Sequence, residues 1–125
     1  MDRIGDDHAG FSVGYDPVTG IIEVCAWGFW SADVAMAFGT KVTMAVKQRP
    51  GTKTVVLDMK DLKPMRDEGQ RAFASIIRTL TTLGVSSTSI VTTSHLTKLQ
   101  LVRIATENGA SVQWVTGTNS LARNA

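Results

Sequence analysis

The side chains of this chain that could do chemistry fall into three short runs. Asp58, Asp61, Arg66, Asp67 and Glu68 crowd the segment LDMKDLKPMRDEG at residues 57–69; Trp27, Phe29 and Trp30 stand together in WGFW; and Thr92, Thr93, Ser94 and His95 follow one another before an apolar stretch. Paired carboxylates can divide general-acid and general-base work, provided burial or repulsion separates their pKa values. Asp67 and Glu68 equally suit the positive end of a helix. Asp58, directly after Val55-Val56-Leu57, also suits a loop-building role in which its carboxylate accepts nearby backbone N–H bonds.

Hydroxyls and an imidazole at residues 92–95, next to a helix start, could hold an anion, or Ser94 could simply cap the helix. Ser94 and His95 do not read as a nucleophile and its base: adjacent residues rarely aim at each other in that way, and no strained elbow motif surrounds them. The three rings around Gly28 could line an apolar pocket or meet a partner, or they could close the core under the next helix.

Other chemistries are excluded by what the sequence lacks. It has two histidines, His8 and His95, and one cysteine, Cys25, so no transition-metal site is expected. Neither GxxxxGK[ST] nor GxGxxG occurs, which removes the common nucleotide-binding routes, and no cofactor is expected. The net charge of +2 is spread over Lys41, Lys47, Arg49, Lys60, Lys63, Arg78, Lys98 and Arg103 without aromatic interleaving, so nucleic acid is not an expected partner. One cysteine excludes an internal disulfide, and its place in IIEVCAW reads as buried. No apolar run approaches the roughly 20 residues of a membrane span. The opening MDRIGDDHAG is polar and acidic rather than leader-like, and a cytoplasmic protein is expected.

These side chains need a scaffold, and 125 residues with 43% apolar content suit one domain with one core. FSVGYD and IIEVCAW, joined by DPVTG, read as an antiparallel hairpin over residues 11–27. Val34, Phe38, Val42 and Val46 repeat at helical spacing across residues 31–47, with Ser31 or Asp33 as the cap. TVVLDM is a continuous apolar run suited to a central strand. Phe73, Ile76, Ile77, Leu80 and Leu83 mark a helix over residues 67–83, ended by Gly84. TSIVTT reads as a strand, residues 96–108 as a helix through Leu99, Leu101, Val102, Ile104 and Ala105, and SVQWV as the last strand.

The expected order is therefore β-β-α-β-α-β-α-β, an α/β domain with a mostly parallel sheet and right-handed crossovers, opening with the hairpin. Residues 1–10 are expected to form a flexible N-terminus, 11–116 the domain, and 117–125 a tail or short helix. In such a sheet the carboxyl ends of the strands gather the ligand-binding loops, which would bring the three chemical runs together.

Within residues 57–69, Leu57, Asp58, Met59, Leu62, Met65 and Gly69 fit the strand-loop-helix signature of STAS domains, which runs Leu-Asp-Leu, two variable residues, Val, two more, an apolar residue and Asp-Ser-Ser-Gly. On these residues the chain resembles that family, which includes bacterial anti-sigma-factor antagonists and cytoplasmic domains of sulfate transporters, as a divergent member over residues 11–116. The resemblance implies a singly wound sheet with its strands in sequential order and a non-enzymatic role in binding partners or small ligands. In the antagonists a serine at the helix start is phosphorylated to control partner release. Here Asp67 and Glu68 occupy the two serine positions and Arg66 the preceding aspartate, so that switch is not expected, although a carboxylate there partly imitates phosphate charge. The apolar first helix and Trp-rich entry also resemble Sec14-type lipid-binding lobes.

Two readings follow. The first is a regulatory or scaffolding module that binds a protein partner, or itself, through Asp58, Asp61, Arg66, Asp67, Glu68 and Gly69. The other is a carrier of an apolar small molecule or lipid, with Trp27, Phe29 and Trp30 lining the pocket and Ser94 and His95 at its edge. Catalysis would require Asp58 or Glu68 to pair with Ser94 or His95 across the sheet edge, and no enzyme is expected.

Overall fold

The computed structural model describes residues 2–116, which form β1 (Asp2–Gly5), β2 (Gly10–Asp16), β3 (Ile21–Gly28), α1 (Ala32–Lys47), β4 (Thr54–Leu62), α2 (Asp67–Thr82), β5 (Ser87–Thr92), α3 (His95–Glu107) and β6 (Gln113–Thr116). The strands make one 6-stranded sheet in the order β1-β2-β3-β4-β5-β6. β1, β2 and β3 pair antiparallel, and β3 through β6 pair parallel. The α/β class, the antiparallel opening and the sequential order are as expected. The expected C-terminal tail at residues 117–125 lies outside the described residues.

Local sequence explains the helices. Ser31 caps α1 by accepting the Val34 N–H at 3.3 Å, which satisfies one of the donors left free at a helix start. α1 buries Ala35, Phe38, Val42 and Val46, and α2 buries Phe73, Ile76, Ile77 and Leu80, in each case one helical stripe. After α2 the Val85 N–H returns to the Leu80 carbonyl and the Gly84 N–H to the Thr81 carbonyl, the paired bonds of a Schellman ending.

The three helices lie on one face of the sheet. Phe11, Val13, Ile22, Val24, Ala26, Val55, Leu57, Met59 and Ile90 alternate along their strands toward that layer and join α1, α2 and α3 in a single apolar core. Side chains on the opposite face include Ser12, Glu23, Cys25, Asp58, Lys60 and Ser89, in keeping with the two-residue period of a strand.

Three sequence expectations are corrected. The supposed loose N-terminus forms β1, whose Ile4 pairs with Phe11 and packs on the core. The turn after it is built: Asp6 Oδ1 accepts the N–H groups of His8 (2.9 Å) and Ala9 (3.1 Å), which hold its carboxyl below the usual carboxylate range. The Trp27 indole donates to the Asp6 carbonyl at 2.7 Å, and the Arg3 guanidinium stacks 4.9 Å from the Trp27 ring. Second, β4 does not stop at Met59 but continues to Leu62. Third, Cys25 is half-buried on the helix-free face rather than in the core.

Gly28 joins the new hairpin to the sheet. Its φ is +79°, and a Cβ there would come within 1.9 Å of the His8 carbonyl oxygen, which is backbone and cannot yield. Gly51, at φ +89°, has nothing within 4 Å of the same construction. Gly28→Ala is therefore expected to cost at least about 2 kcal/mol and Gly51→Ala about 1 kcal/mol, since only the first adds a backbone clash to an unfavourable φ. Urea unfolding of both variants checks this, and equal losses would contradict the packed hairpin.

Candidate functional site

Because β3, β4 and β5 are neighbouring parallel strands, their carboxyl ends bring the WGFW run, residues 57–69 and residues 92–95 to one edge of the domain. The structure then divides the candidate residues among different surfaces.

Asp58 lies on the helix-free face. Between β3 and β4 the register passes from Cys25↔Asp58 to Trp27↔Asp61, so β4 carries one residue more than its neighbour, and neither Met59 nor Lys60 has a register partner. Such a bulge frees backbone groups. Asp58 Oδ1 accepts the Lys60 N–H at 3.2 Å, and Thr93 Oγ1 donates to the Lys60 carbonyl at 2.7 Å. Asp58 Oδ2 also holds the Lys60 ammonium at 2.8 Å; that hydrogen bond and the carboxylate charge keep the ammonium pKa above its ordinary value. Asp58 thus stabilises the bulge, close to its loop-building alternative.

Asp61, Arg66, Asp67 and Glu68 are exposed, whereas Gly69 is buried. A Cβ at Gly69 would stand 3.0 Å from the Met65 Cβ, so Gly69 makes room for Met65 to fold under the first turn of α2. α2 begins at Arg66 without a side-chain cap; Asp67 and Glu68 supply negative charge to its first turn, and Asp67 stands 3.9 Å from Arg71.

The connection from β4 to α2 is held by residues that sequence reading missed. Met65 donates its N–H to Gln100 Oε1 at 2.7 Å, and its carbonyl accepts from Gln100 Nε2 at 3.0 Å and Gln70 Nε2 at 2.9 Å. Arg103 donates to Gln70 Oε1, and Thr97 Oγ1, fully buried, donates to the Leu62 carbonyl at 3.0 Å. Amides on helices look solvent-directed in sequence, and only the packing of α2 beside α3 turns Gln70 and Gln100 onto one backbone unit. Ser94 caps α3 by accepting the Thr97 N–H at 3.3 Å, and His95 is exposed.

The three aromatic rings do not face a common space. Trp27 lies over Gly10 on the helix-free face. Trp30 enters the core, 4.6 Å from Phe38 and 6.3 Å from Phe11 between centroids, and its indole donates to the Gly10 carbonyl at 3.1 Å. Phe29 is 69% exposed. Leu96 and Leu99 of α3 are also exposed, so the strand-end edge carries apolar as well as charged groups. Among the described residues no group of three or more His, Cys, Asp or Glu side chains is placed to hold a metal ion, and no helix is long and apolar enough to cross a membrane.

No family model matches the chain, and no curated protein matches it. Among solved structures, it is similar to an anti-sigma factor antagonist from Mycobacterium paratuberculosis, with a TM-score of 0.63 and 14% identity over 90% of this chain and 89% of that one. The fold is that of a STAS domain. In this STAS fold, α2 is the helix whose start carries Asp67 and Glu68.

Two measurements probe the site. Gln100→Leu removes the acceptor of the Met65 N–H and is expected to cost about 1–3 kcal/mol, the range for a stranded polar group; faster hydrogen exchange at the Met65 amide, with α1 amides unchanged, checks the location. Cys25 tests the other face. Burial pushes its thiol above the ordinary value and the Asp58 carboxylate adds to this, while Lys60 and Ser12 act against it. A raised folded pKa means that the stabilising contribution is present below the unfolded value and is lost as pH rises through the folded one. Iodoacetamide is accordingly expected to modify Cys25 more slowly at pH about 8.5 than after unfolding, with the folded rate climbing only at higher pH.

Proposed function

We propose that this chain is a non-enzymatic regulatory module that binds a protein partner through the edge formed by Asp61, Arg66, Asp67 and Glu68. The observation that carries this reading is the combination of a clamped backbone with free side chains. Met65 is held from α2 and α3 by three hydrogen bonds, while the charged groups on either side of it face solvent. A surface ordered before contact loses less conformational freedom on binding, which favours affinity. Phe29, just after β3, and Leu96, in the first turn of α3, are exposed and add the apolar contacts that charged rims alone lack.

The similar solved structure is named an anti-sigma factor antagonist, and a regulatory role for this chain rests on that likeness of fold. Asp67 and Glu68 stand where the STAS signature has serines, so the start of α2 carries its negative charge without modification. Partner engagement here is then continuous rather than gated by phosphate at these positions. Asp58, committed to the β4 bulge, and Gly69, under Met65, act by shaping the loop from within.

A photo-crosslinking residue at position 68, compared with one at Thr19 in the distant β2–β3 turn, locates the surface in cell extract. The reading expects a protein other than this chain itself captured from position 68 alone. Binding of that purified protein is expected to fall at least about tenfold in Asp67→Lys/Glu68→Lys, the scale of losing desolvated interfacial charge pairs. Equal capture from both positions, or unchanged affinity, would falsify the assignment.

A further inference from the structure

The exposed side of α1 holds a pattern that neither the core nor the strand-end edge uses. Met36 is 69% exposed and Met44 45% exposed, two large apolar side chains on one helix of a domain that buries most of its others. They border a groove of about 600 Å³ between α1 and α2, whose lining also includes Gly39, Thr40, Lys47 and Ala72. A Cβ at Gly39 would be 3.6 Å from that of Ala72, so the two helices approach closely and the groove floor is low. Solvent-facing methionine is adaptable and polarizable, and it is over-used on surfaces that receive another protein.

The order of residues on this stripe names the occupant. Asp33, Met36, Thr40, Met44 and Lys47 follow at steps of three, four, four and three residues and therefore share one side of the helix. Asp33, Thr40 and Lys47 are exposed like the methionines. Measured outward from Thr40, the two methionines lie at equal separations, and so do the carboxylate and the ammonium. The apolar pattern is symmetric about Thr40 while the charge inverts.

We propose that a second copy of this chain docks on α1, with the two α1 helices antiparallel about a twofold axis through Thr40. That arrangement sets Met36 against Met44 of the second copy and Asp33 against Lys47 of the second copy, and each contact occurs twice, as an isologous interface requires. Antiparallel helices also place opposite dipole ends together. An unrelated helix would need neither the symmetry of the methionines nor the inversion of charge. The contact goes beyond the partner-binding reading. Glu68 borders the groove, but Asp61, Arg66 and Asp67 do not line it, and either surface can fail without the other.

Sedimentation of the full purified chain from about 1 to 300 µM tests the proposal over the range of moderate affinities. The expected result is a concentration-dependent dimer. Asp33→Lys or Lys47→Asp alone is expected to raise the dissociation constant at least about tenfold by facing like charges, and the double exchange Asp33→Lys/Lys47→Asp to return it to within a few-fold of the original. Met36→Gln/Met44→Gln, at exposed helical positions where the fold has no need of methionine, is expected to leave a monomer with an unchanged thermal transition. That variant also serves if a charge exchange at the helix ends impairs folding. A monomer throughout the concentration range, or a dimer indifferent both to the glutamine pair and to the charge exchanges, overturns the proposal.

Discussion

Each crossover after β3 returns its helix to the same side of the sheet, and this one-sided winding governs where every other side chain can go. Among the described residues only one sheet face carries a helical layer, so alternate residues of β2 through β5 that face it are apolar while their neighbours face away from the helices. The edge-to-face packing of Phe11 and Phe38, with ring centroids 5.3 Å apart, and Trp30 against both, closes that single core at the start of α1. Trp30 is therefore drawn against the core and half-buried, although it follows the exposed Phe29 in sequence.

The same constraint separates the acidic residues of the STAS-like segment. Asp58 is at a strand position pointing away from the helices, and its carboxylate is occupied by the Lys60 N–H and ammonium. Asp67 and Glu68 belong to α2 on the other side and have no such partner within the bulge. Carboxylates that look like a pair in the sequence thus act apart, one completing a bulged strand and the others charging a helix start. Beyond the last β4–β5 register pair, Asp58↔Val91, the Thr93 hydroxyl donates to the Lys60 carbonyl and continues the contact between the two strands.

Rigidity and exposure are combined at the strand ends. The β4–α2 connection is tied to α3 through Gln100 and to α2 through Gln70, and Thr97 anchors the start of α3 to the end of β4. Such a network resists local opening better than an unsupported loop would. The side chains beyond it remain available, a distribution suited to recognition by a fixed surface. The outer side of α1 offers a second and chemically different surface, on which a stripe through Thr40 carries methionine on either side of its centre and opposite charges at its two ends.

Much of the architecture was legible without coordinates. The helical spacing of Phe73, Ile76, Ile77 and Leu80, the Ser31 and Ser94 caps and the apolar run at residues 55–57 are local signals, because helix and strand periodicity depends on near neighbours in the chain. The signature at residues 57–69 led to the STAS fold by the same route. What sequence alone determined was the elements from β2 to β6, their order, and the edge at which the charged and aromatic runs meet. Tertiary structure decided the rest: that residues 2–5 add a strand, since Ile4 gains a core only once β2 is in place; that Asp58 and Glu68 lie on different sides; that Trp27, Phe29 and Trp30 part; and that Gln70 and Gln100 converge on Met65. These depend on contacts between residues distant in the chain, whose energies are realised only when the sheet and its one helical layer are assembled.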